Sequence, residues 1–339
     1  MGQGFPCYIA AEVGINHNGD MELAERMIQA AAQAGVDAVK FQNYRTEDFV
    51  ADRSLQISYK SQGVEVQEPQ HNLFKRSELR PEHLVRLARC CKDNGVLFFS
   101  TPTSQETLDD LLRLGVPLIK NGSDYLGHLP LIRAMARTGL CTVLSTGMAT
   151  LAEMDDAIRA FRDAGGQDVV LLHCTSAYPT PPESVHLKKI PTLAAAFGCP
   201  VGFSDHTEGI SAALGAVALG ACMIEKHFTV DRNLPGPDHW FSSTPEEMSE
   251  LVRGVRTLEA SLGNSSPGPA DCEAAGRVDF RLSCVAKMDF PAGHALRHDD
   301  VIYMRPGTGL PPAAHEWIVG ARLTAPVSRG HIFTPEDLR

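Results

Sequence analysis

Short apolar runs alternate regularly with longer amphipathic stretches along most of this 339-residue chain, and this alternation constrains its fold more than any other feature. Each run has the length and composition of a buried β-strand. The stretches between them have helical spacing, and several end in the Gly typical of the position just past a helix. The eight runs span residues 8–11, 38–41, 96–99, 118–120, 141–144, 169–172, 201–203 and 222–224, and the clearest helical stretches are Met21–Gly35, Pro81–Gly95, Leu151–Gly165 and Ile210–Gly220.

Eight strand and helix alternations before residue 262 predict an α/β fold, a closed (β/α)8 TIM barrel. An open doubly wound sheet usually has fewer strands and a Gly-rich nucleotide-binding turn, and the sequence has neither GxGxxG nor GxxxxGK[ST]. Capping boxes at Thr103 to Glu106, Thr150 to Glu153 and Thr244 to Glu247 predict helix starts, the last with Pro245 at the first helical position.

Polar residues close all eight apolar runs. Active sites of TIM barrels gather at the carboxyl ends of the strands, so these side chains are expected to meet. A single polar residue at a strand end is commonly structural, but crowded titratable groups cost desolvation unless a ligand compensates. The joint pattern therefore predicts an active site from Glu12, Lys40 with Gln42, Ser100 with Thr101, Lys120, Ser145 with Thr146, His173, Ser204 to His206, and Glu225 with His227.

Two histidines stand beside carboxylates where neighbouring apolar runs end. They occur in Ser204 to Thr207 and Glu225 to Phe228, and Gly236 to His239 follows soon after. Imidazole together with carboxylate suits borderline divalent cations, so the pattern predicts an open metal site. The alternative is that His206 and His227 are core histidines satisfied by their neighbours.

Charge and composition exclude some classes of partner. A net charge of -10 argues against nucleic acid, which requires a basic face. The nine cysteines form no CxxC pair, which is typical of reduced thiols in a cytosolic protein. The sequence has no stretch of eighteen uninterrupted apolar residues and no basic start followed by a long apolar segment. We therefore expect a cytoplasmic protein without a membrane partner.

Two segments depart from the alternation. The region 43–77 is too long for an ordinary strand-to-helix connection and carries scattered aromatic residues, which favours either a lid over the site or a subunit contact. A Gly/Pro/Ser-rich stretch begins after residue 262. We predict a barrel domain over 1–262, a linker over 263–282 and a small domain over 283–339.

Several ordered motifs resemble the sialic acid synthase family, whose members include N-acetylneuraminate and legionaminic acid synthases. The resemblance covers essentially the whole chain, and the tail is similar to the family's antifreeze-like (SAF) domain. The motifs are Ile9 to Gly19, Val39 to Gln42, Ser145 to Met148, His173 to Pro179, Ser204 to Thr207, Glu225 to Phe228, Gly236 to His239 and, in the tail, Arg305 to Gly309.

The resemblance implies condensation of phosphoenolpyruvate with an N-acylated mannosamine-type sugar, with phosphate release and a divalent metal, typically Mn²⁺ with Mg²⁺ or Co²⁺ as alternatives. His206 and His227 would be the metal ligands, and a swapped homodimer would bring Arg305 to the sugar of the partner. The catalytic residues would be Glu12, Lys40, Lys120, Glu225 and Asp238, and the substrate-binding residues Gln42, Thr101, Ser123, Tyr125, Ser145, Tyr178 and Ser204.

Tyr125 stands where the N-acetylmannosamine enzymes would have an acidic residue nearby to hold the sugar. A less polar surface there favours a 2,4-diacetamido-2,4,6-trideoxymannose acceptor, which would give a legionaminic acid. A pseudaminic acid or 9-phosphate synthase of the same family is an alternative. A Schiff-base aldolase with Lys40 or Lys120 as nucleophile is another. An ice- or glycan-binding role for the tail is the non-catalytic hypothesis, since fold similarity does not determine function.

Overall fold

All eight predicted apolar runs form strands of one parallel sheet in the computed structural model, which describes residues 1–2 and 4–339. Most strands continue past the apolar run into the polar residues that follow it, so these polar residues belong to the sheet. The strands are β1 Tyr8–Gly14, β2 Ala38–Asn43, β5 Leu97–Pro102, β6 Leu118–Asn121, β7 Cys141–Ser145, β8 Val169–Cys174, β9 Val201–Asp205 and β10 Met223–His227, with β3 Gln56–Ser61 and β4 Val64–Pro69 forming a separate hairpin.

The parallel sheet curls into a nearly closed barrel. Its hydrogen-bonded order is β5, β2, β1, β10, β9, β8, β7, β6, and the two end strands β5 and β6 lie next to each other. The fold confirms the predicted TIM-barrel architecture. The helices are α1 Met21–Ala34, α2 Thr46–Phe49, α3 Gln70–Arg76, α4 Pro81–Asp93, α5 Gln105–Leu114, α6 Leu129–Arg137, α7 Leu151–Asp163, α8 Lys189–Phe197, α9 Ser211–Ala218 and α10 Pro245–Leu262.

Side-chain caps begin several of these helices. The boxes at Thr150 to Glu153 and Thr244 to Glu247 are confirmed. The predicted box at Thr103 to Glu106 is wrong by one residue, because Ser104 caps α5 and the Thr107 hydroxyl accepts the Ser104 N–H at 2.9 Å. A hydroxyl at the third helical position thus replaces the usual Glu.

The region 43–77 folds into helix α2, the β3–β4 hairpin and helix α3. Its aromatic rings pack together, with the Phe49 and Phe74 centroids 4.7 Å apart and Tyr44 and Phe49 5.4 Å apart. The end of strand β3 contacts the chain that follows β10, where the Gly236 N–H donates to Ser61 Oγ at 3.0 Å. The insertion is therefore an ordered part of the barrel unit.

The chain divides into two compact units, residues 1–263 and 264–339. In the second unit, β11 Ser283–Ala286 and β12 Val301–Met304 pair in antiparallel fashion around a small apolar core, with helices α11 Ala274–Asp279 and α12 His315–Ile318. Helix α11 lies within the segment predicted as a linker. The run Ala325 to Val327 resembles a strand in sequence but makes only an isolated bridge from Val327 to Phe290, because Pro326 cannot donate a ladder hydrogen bond.

Within residues 1–2 and 4–339, none of the helices combines the length and apolar character needed to cross a membrane.

Candidate active site

A cavity of about 410 Å³ opens at the carboxyl ends of the barrel strands. Its volume falls within the range typical of small-molecule sites. Glu225 does not itself line the cavity, but its Oε1 atom lies 3.0 Å from the Nζ atom of Lys120, which does. Of the residues predicted for the site, the cavity is lined by Glu12, Lys40, Gln42, Thr101, Lys120, Ser123, Tyr125, Ser145, Tyr178, Ser204, His206, His227 and Asp238.

The two-residue period of a strand explains why these side chains converge. A small apolar cluster fills the inside of the barrel and includes Ala10, Leu118 and Met223. Side chains two residues further along a strand point to the same face. Glu12, Lys120 and Glu225 therefore stand directly above that cluster, as do Lys40, Thr101 and Ser145 above Ala38, Phe99 and Val143.

Glu12 and Lys40 form the first buried ion pair of the cavity. Lys40 Nζ lies 2.8 Å from Glu12 Oε1, and both side chains are almost completely buried. Gln42 Nε2 donates to the same carboxylate oxygen at 3.2 Å. Burial raises the pKa of Glu12, although the ammonium group of Lys40 opposes the shift.

Lys120 and Glu225 form the second ion pair, with Lys120 Nζ 3.0 Å from Glu225 Oε1. Ser204 Oγ donates to that oxygen at 3.1 Å. Burial acts against the charged carboxylate, but the charges of Lys120 and Lys40 outweigh it and lower the pKa of Glu225. The environments thus shift the two carboxyl groups in opposite directions, an arrangement typical of sites that separate an acid–base residue from a permanently charged one.

Serine hydroxyls gather near Gly147. The Gly147 N–H donates to Ser123 Oγ at 3.0 Å, and a Cβ on Gly147 would lie 2.8 Å from that oxygen and closer still to Ser176 Oγ, so glycine permits the approach. Among the described residues, the buried hydroxyls of Ser145 and Ser176 have no hydrogen-bond partner. Because an unpaired buried hydroxyl is costly, this cluster suits a ligand with several acceptor oxygens.

His206 and His227 face each other, with ring centroids 5.3 Å apart. His206 Nδ1 donates to the Thr175 carbonyl at 2.8 Å, so the lone pair is on Nε2, which lies 3.4 Å from Ser204 Oγ. The buried Nδ1 atom of His227 has no hydrogen-bond partner in the described part of the chain. Two imidazoles that each retain a lone pair in one cavity fit a divalent cation.

Asp238 and Tyr178 complete this side of the cavity. Asp238 Oδ2 lies 3.6 Å from His227 Nδ1, close enough to supply an oxygen donor beside the imidazole pair. Burial, with a further contribution from the charge of Glu12, raises the pKa of Asp238 to about 7. The Tyr178 ring packs on His206 with centroids 4.3 Å apart, which limits rotation of the imidazole.

Apolar and aromatic side chains also line the cavity. We define the aromatic wall as Tyr44, Phe49, Phe74 and Tyr125. The Phe49 and Tyr125 rings are stacked with centroids 6.2 Å apart, so the insertion and the turn after β6 join into one surface. The insertion, predicted as a lid or a subunit contact, thus forms part of the cavity wall.

Several cavity residues were not predicted. Ser176 and Cys174 belong to the motif His173 to Pro179, in which the prediction selected His173 and Tyr178. His173 does not line this cavity, because its Nε2 atom lies 2.6 Å from the Val185 carbonyl oxygen. Asp124 also lines the cavity, and burial raises its pKa. The sequence did contain a signal for Asp124, because an acidic residue was expected near Tyr125 and Asp124 directly precedes it.

Arg305 belongs to the second unit, where its guanidinium group lies 5.1 Å from the centroid of the Phe280 ring. Its role toward the sugar stays a prediction.

The fold and this cavity define a class of protein: a (β/α)8 barrel with a strand-end site lined by buried lysines, serine hydroxyls and two facing imidazoles. The sequence profile of the NeuB family matches residues 27–267. The chain therefore belongs to this family, the sialic acid synthases, as its motifs predicted.

Known proteins similar to this chain support the assignment. An N,N'-diacetyllegionaminic acid synthase of Legionella pneumophila is 39% identical over 97% of this chain and 94% of the relative. A human N-acetylneuraminate-9-phosphate synthase is 33% identical over 95% of this chain and 90% of the relative. The crystal structure of an N-acetylneuraminic acid synthetase from Leptospira borgpetersenii in complex with citrate has a TM-score of 0.72 and 35% identity, covering 80% of this chain and 90% of that one.

Proposed function

We propose that this protein is a nonulosonic acid synthase that condenses phosphoenolpyruvate with an N-acylated mannosamine-type sugar. C3 of phosphoenolpyruvate forms a bond to the aldehyde carbon of the open-chain sugar, water adds at C2, and phosphate leaves by C–O cleavage to give a 2-keto acid. The observation that carries the proposal is one cavity containing two buried lysine–glutamate pairs, unpaired serine hydroxyls and two facing imidazoles.

Lys120 and the serine cluster suit the anionic substrate. Phosphoenolpyruvate is compact and highly charged, and ammonium and hydroxyl donors supply it with charge-assisted hydrogen bonds. Glu225 Oε1 accepts hydrogen bonds from both Lys120 Nζ and Ser204 Oγ, so Glu225 holds these two donors in position. A bound anion would accept hydrogen bonds from the same two groups. We assign phosphoenolpyruvate to the side of the cavity that Lys40, Lys120, Ser123, Ser145, Ser176 and Ser204 line.

Glu12 is the residue that we propose moves a proton. Its pKa is raised by burial while that of Glu225 is lowered, so Glu12 is the better acid–base group of the two. We propose that this carboxylate, which pairs with Lys40, takes a proton from the attacking water or assists opening of the sugar ring.

We propose that His206 and His227 hold a divalent cation, Mn²⁺ foremost and Mg²⁺ or Co²⁺ as alternatives, with Asp238 beside them. When bound, such a cation would polarise the sugar carbonyl oxygen. The donor set of two nitrogens and one nearby oxygen is the support for this proposal.

The aromatic wall favours an acceptor with a methyl group over one with a hydroxymethyl group. Burying a methyl group against aromatic rings is favourable, whereas a hydroxyl there would lose its partners at a cost of about 1–3 kcal/mol. We therefore propose a 2,4-diacetamido-2,4,6-trideoxy sugar such as the legionaminic acid precursor. A 6-phosphorylated acceptor is less suited, since phosphoenolpyruvate is assigned to Lys40 and Lys120, and the described lining of the cavity has no further lysine or arginine for a second phosphate group.

The same ion pairs argue against a Schiff-base aldolase. A nucleophilic lysine requires a lowered pKa. Burial acts in that direction on Lys120, but the charges of Glu225 and Glu12 outweigh it and raise its pKa. Lys40 is held in its ion pair with Glu12. We therefore expect borohydride to trap no pyruvate adduct, and a trapped adduct would favour the aldolase.

Phosphate release from phosphoenolpyruvate, measured with Mn²⁺ across a panel of acceptors, tests the proposal. The panel contains N-acetylmannosamine, its 6-phosphate, 2,4-diacetamido-2,4,6-trideoxymannose and the sugar precursor of pseudaminic acid, with a reaction lacking sugar as control. We expect the trideoxymannose to give the highest kcat/KM. Preference for another sugar would reject the acceptor assignment, and no sugar-dependent release would reject the function.

The swapped homodimer, the SAF character of the second unit and a cytoplasmic location also stay predictions. We propose that Arg305 reaches the acceptor from a partner subunit, and we expect R305A to raise the KM for the sugar while leaving that for phosphoenolpyruvate unchanged.

A further inference from the structure

Two histidines of the second unit meet side to side on its surface. His298 lies in the turn 298–300 and His315 begins helix α12, and the distance from His298 Nδ1 to His315 Nε2 is 3.0 Å. Their ring planes are inclined by 28°, with centroids 5.0 Å apart. Neutral imidazoles can share one proton across this distance, but the same two nitrogens can instead hold a cation.

A carboxylate completes the donor group. Glu316 follows His315 on helix α12, and its Oε2 atom lies 3.9 Å from His298 Nε2, the ring nitrogen that does not contact His315. One ligand atom from each of His298, His315 and Glu316 falls within 4.8 Å of the others. Two imidazoles and one carboxylate are a recurrent ligand set for Zn²⁺, with water in the remaining position.

Tyr303 supplies a separate observation in favour of a metal site. Its hydroxyl lies 2.8 Å from His315 Nδ1, the ring nitrogen that points away from His298. Metal-ligating histidines almost always use their second nitrogen in such a hydrogen bond, which fixes the ring and its tautomer. With the Nδ1 proton donated to Tyr303, the Nε2 lone pair of His315 faces His298.

We propose that His298, His315 and Glu316 form a surface site for a borderline divalent cation of the Zn²⁺ type. At Zn–N distances of 2.0–2.1 Å, a tetrahedral ion requires the two nitrogens to be about 3.4 Å apart, so the rings need to separate by only about 0.4 Å. The site is distinct from the barrel cavity and does not depend on the synthase reaction. A bound ion would join the turn 298–300, which precedes strand β12 in the chain, to helix α12, which follows it.

Isothermal titration of the full-length protein with Zn²⁺ tests this site. To remove the barrel histidines from the measurement, we would use the H206A/H227A variant as the parent. We expect it to bind one Zn²⁺, and we expect the further changes H298A and H315A to abolish that binding. The matched control is H331A, since His331 lies in the same unit but pairs with Asp337.

Two conservative variants keep the test decisive. E316Q and Y303F alter exposed positions, so the fold should be retained, as circular dichroism would verify. We expect Y303F to weaken Zn²⁺ binding by roughly 10–100-fold, the usual effect of removing an outer hydrogen bond. We also expect Zn²⁺ to raise the unfolding temperature of the parent but not of the H298A/H315A derivative.

Equal Zn²⁺ affinity in the parent and in its H298A/H315A derivative would overturn the proposal and leave only a proton shared between the two rings. That result would not affect the proposed synthase, whose test is sugar-dependent phosphate release by the wild-type protein. Conversely, an inactive protein that still bound Zn²⁺ through His298 and His315 would reject the function and retain the site.

Discussion

Lys226 Nζ lies 2.8 Å from Asp205 Oδ2, and both side chains are almost completely buried between strands β9 and β10. Lys226 also donates to the Thr207 carbonyl at 2.8 Å, and Asp205 Oδ1 accepts from the Thr207 N–H at 2.8 Å. These contacts fix the chain on both sides of His206. The pair therefore supports the position of this imidazole from behind the cavity.

We expect K226M to destabilise the protein by about 3–5 kcal/mol, because it leaves the buried Asp205 carboxylate without its partner. Urea unfolding measures the change. The double variant D205N/K226M removes both charges, and its loss in free energy of unfolding should be smaller than the sum of the losses in the two single variants. Additive losses would show that the two charges are not coupled.

We expect D205N to weaken Mn²⁺ binding by roughly 10–100-fold, because Asn cannot hold Lys226 and the turn at His206 as the carboxylate does. Calorimetric titration of Mn²⁺ separates this effect from any loss of stability. Unchanged affinity in a folded D205N protein would show that the pair serves stability alone.

Chelation should abolish sugar-dependent phosphate release by the wild-type protein, and added Mn²⁺ should restore it. We expect H227A to reduce Mn²⁺ affinity by on the order of 100-fold or more, since one of the two imidazole donors is lost. The matched control is H186N, which alters an exposed histidine of the same barrel. His186 has a positive φ of 52°, a backbone conformation that Asn also tolerates. Full activity in EDTA would contradict the metal proposal.

E12Q should lower kcat by about 10²–10⁴-fold, the usual contribution of general acid–base catalysis. Gln retains an oxygen that can accept from Lys40, so the KM for phosphoenolpyruvate should change little. Turnover within tenfold of the wild type, with an unchanged unfolding temperature, would remove Glu12 from the proton transfer.

K120M should raise the KM for phosphoenolpyruvate by about 10–150-fold, corresponding to loss of a charged hydrogen bond worth about 1.5–3 kcal/mol. The double variant K120M/E225Q removes the partner charge as well and controls for the carboxylate that K120M leaves unpaired. If both variants keep the wild-type KM, the anion lies elsewhere in the cavity.

Y125E should shift the acceptor preference toward N-acetylmannosamine, because a carboxylate in the aromatic wall can accept hydrogen bonds from sugar hydroxyls. Packing a methyl group against the carboxylate instead would remove its hydration without compensation. Y125F is the control, since it keeps the ring that stacks on Phe49 and removes only the hydroxyl. The ratio of kcat/KM values for the two sugars is the measurement. An unchanged ratio in Y125E would place the distinguishing part of the sugar away from this wall.

Much of the barrel is readable from local sequence because strands and helices have periods of two and 3.6 residues. The eight runs, the Thr150 and Thr244 caps and the polar strand ends all follow from residues close together in the chain. The start of α5 shows the limit of this reading. The capping-box pattern predicted a cap at Thr103, whereas the structure caps the helix with Ser104.

The sequence by itself determined that lysines, carboxylates and imidazoles end the strands of a barrel. The tertiary structure decided which of them pair: Glu12 with Lys40, Glu225 with Lys120, and Asp205 with Lys226 on the other face of the sheet. It also decided that the aromatic residues of the insertion meet Tyr125 in the cavity wall. The paired residues are separated by 21 to 105 positions in the sequence. Strand register and the folding of the long insertion bring them together, and local sequence periodicity contains no information about contacts between residues so far apart in the chain.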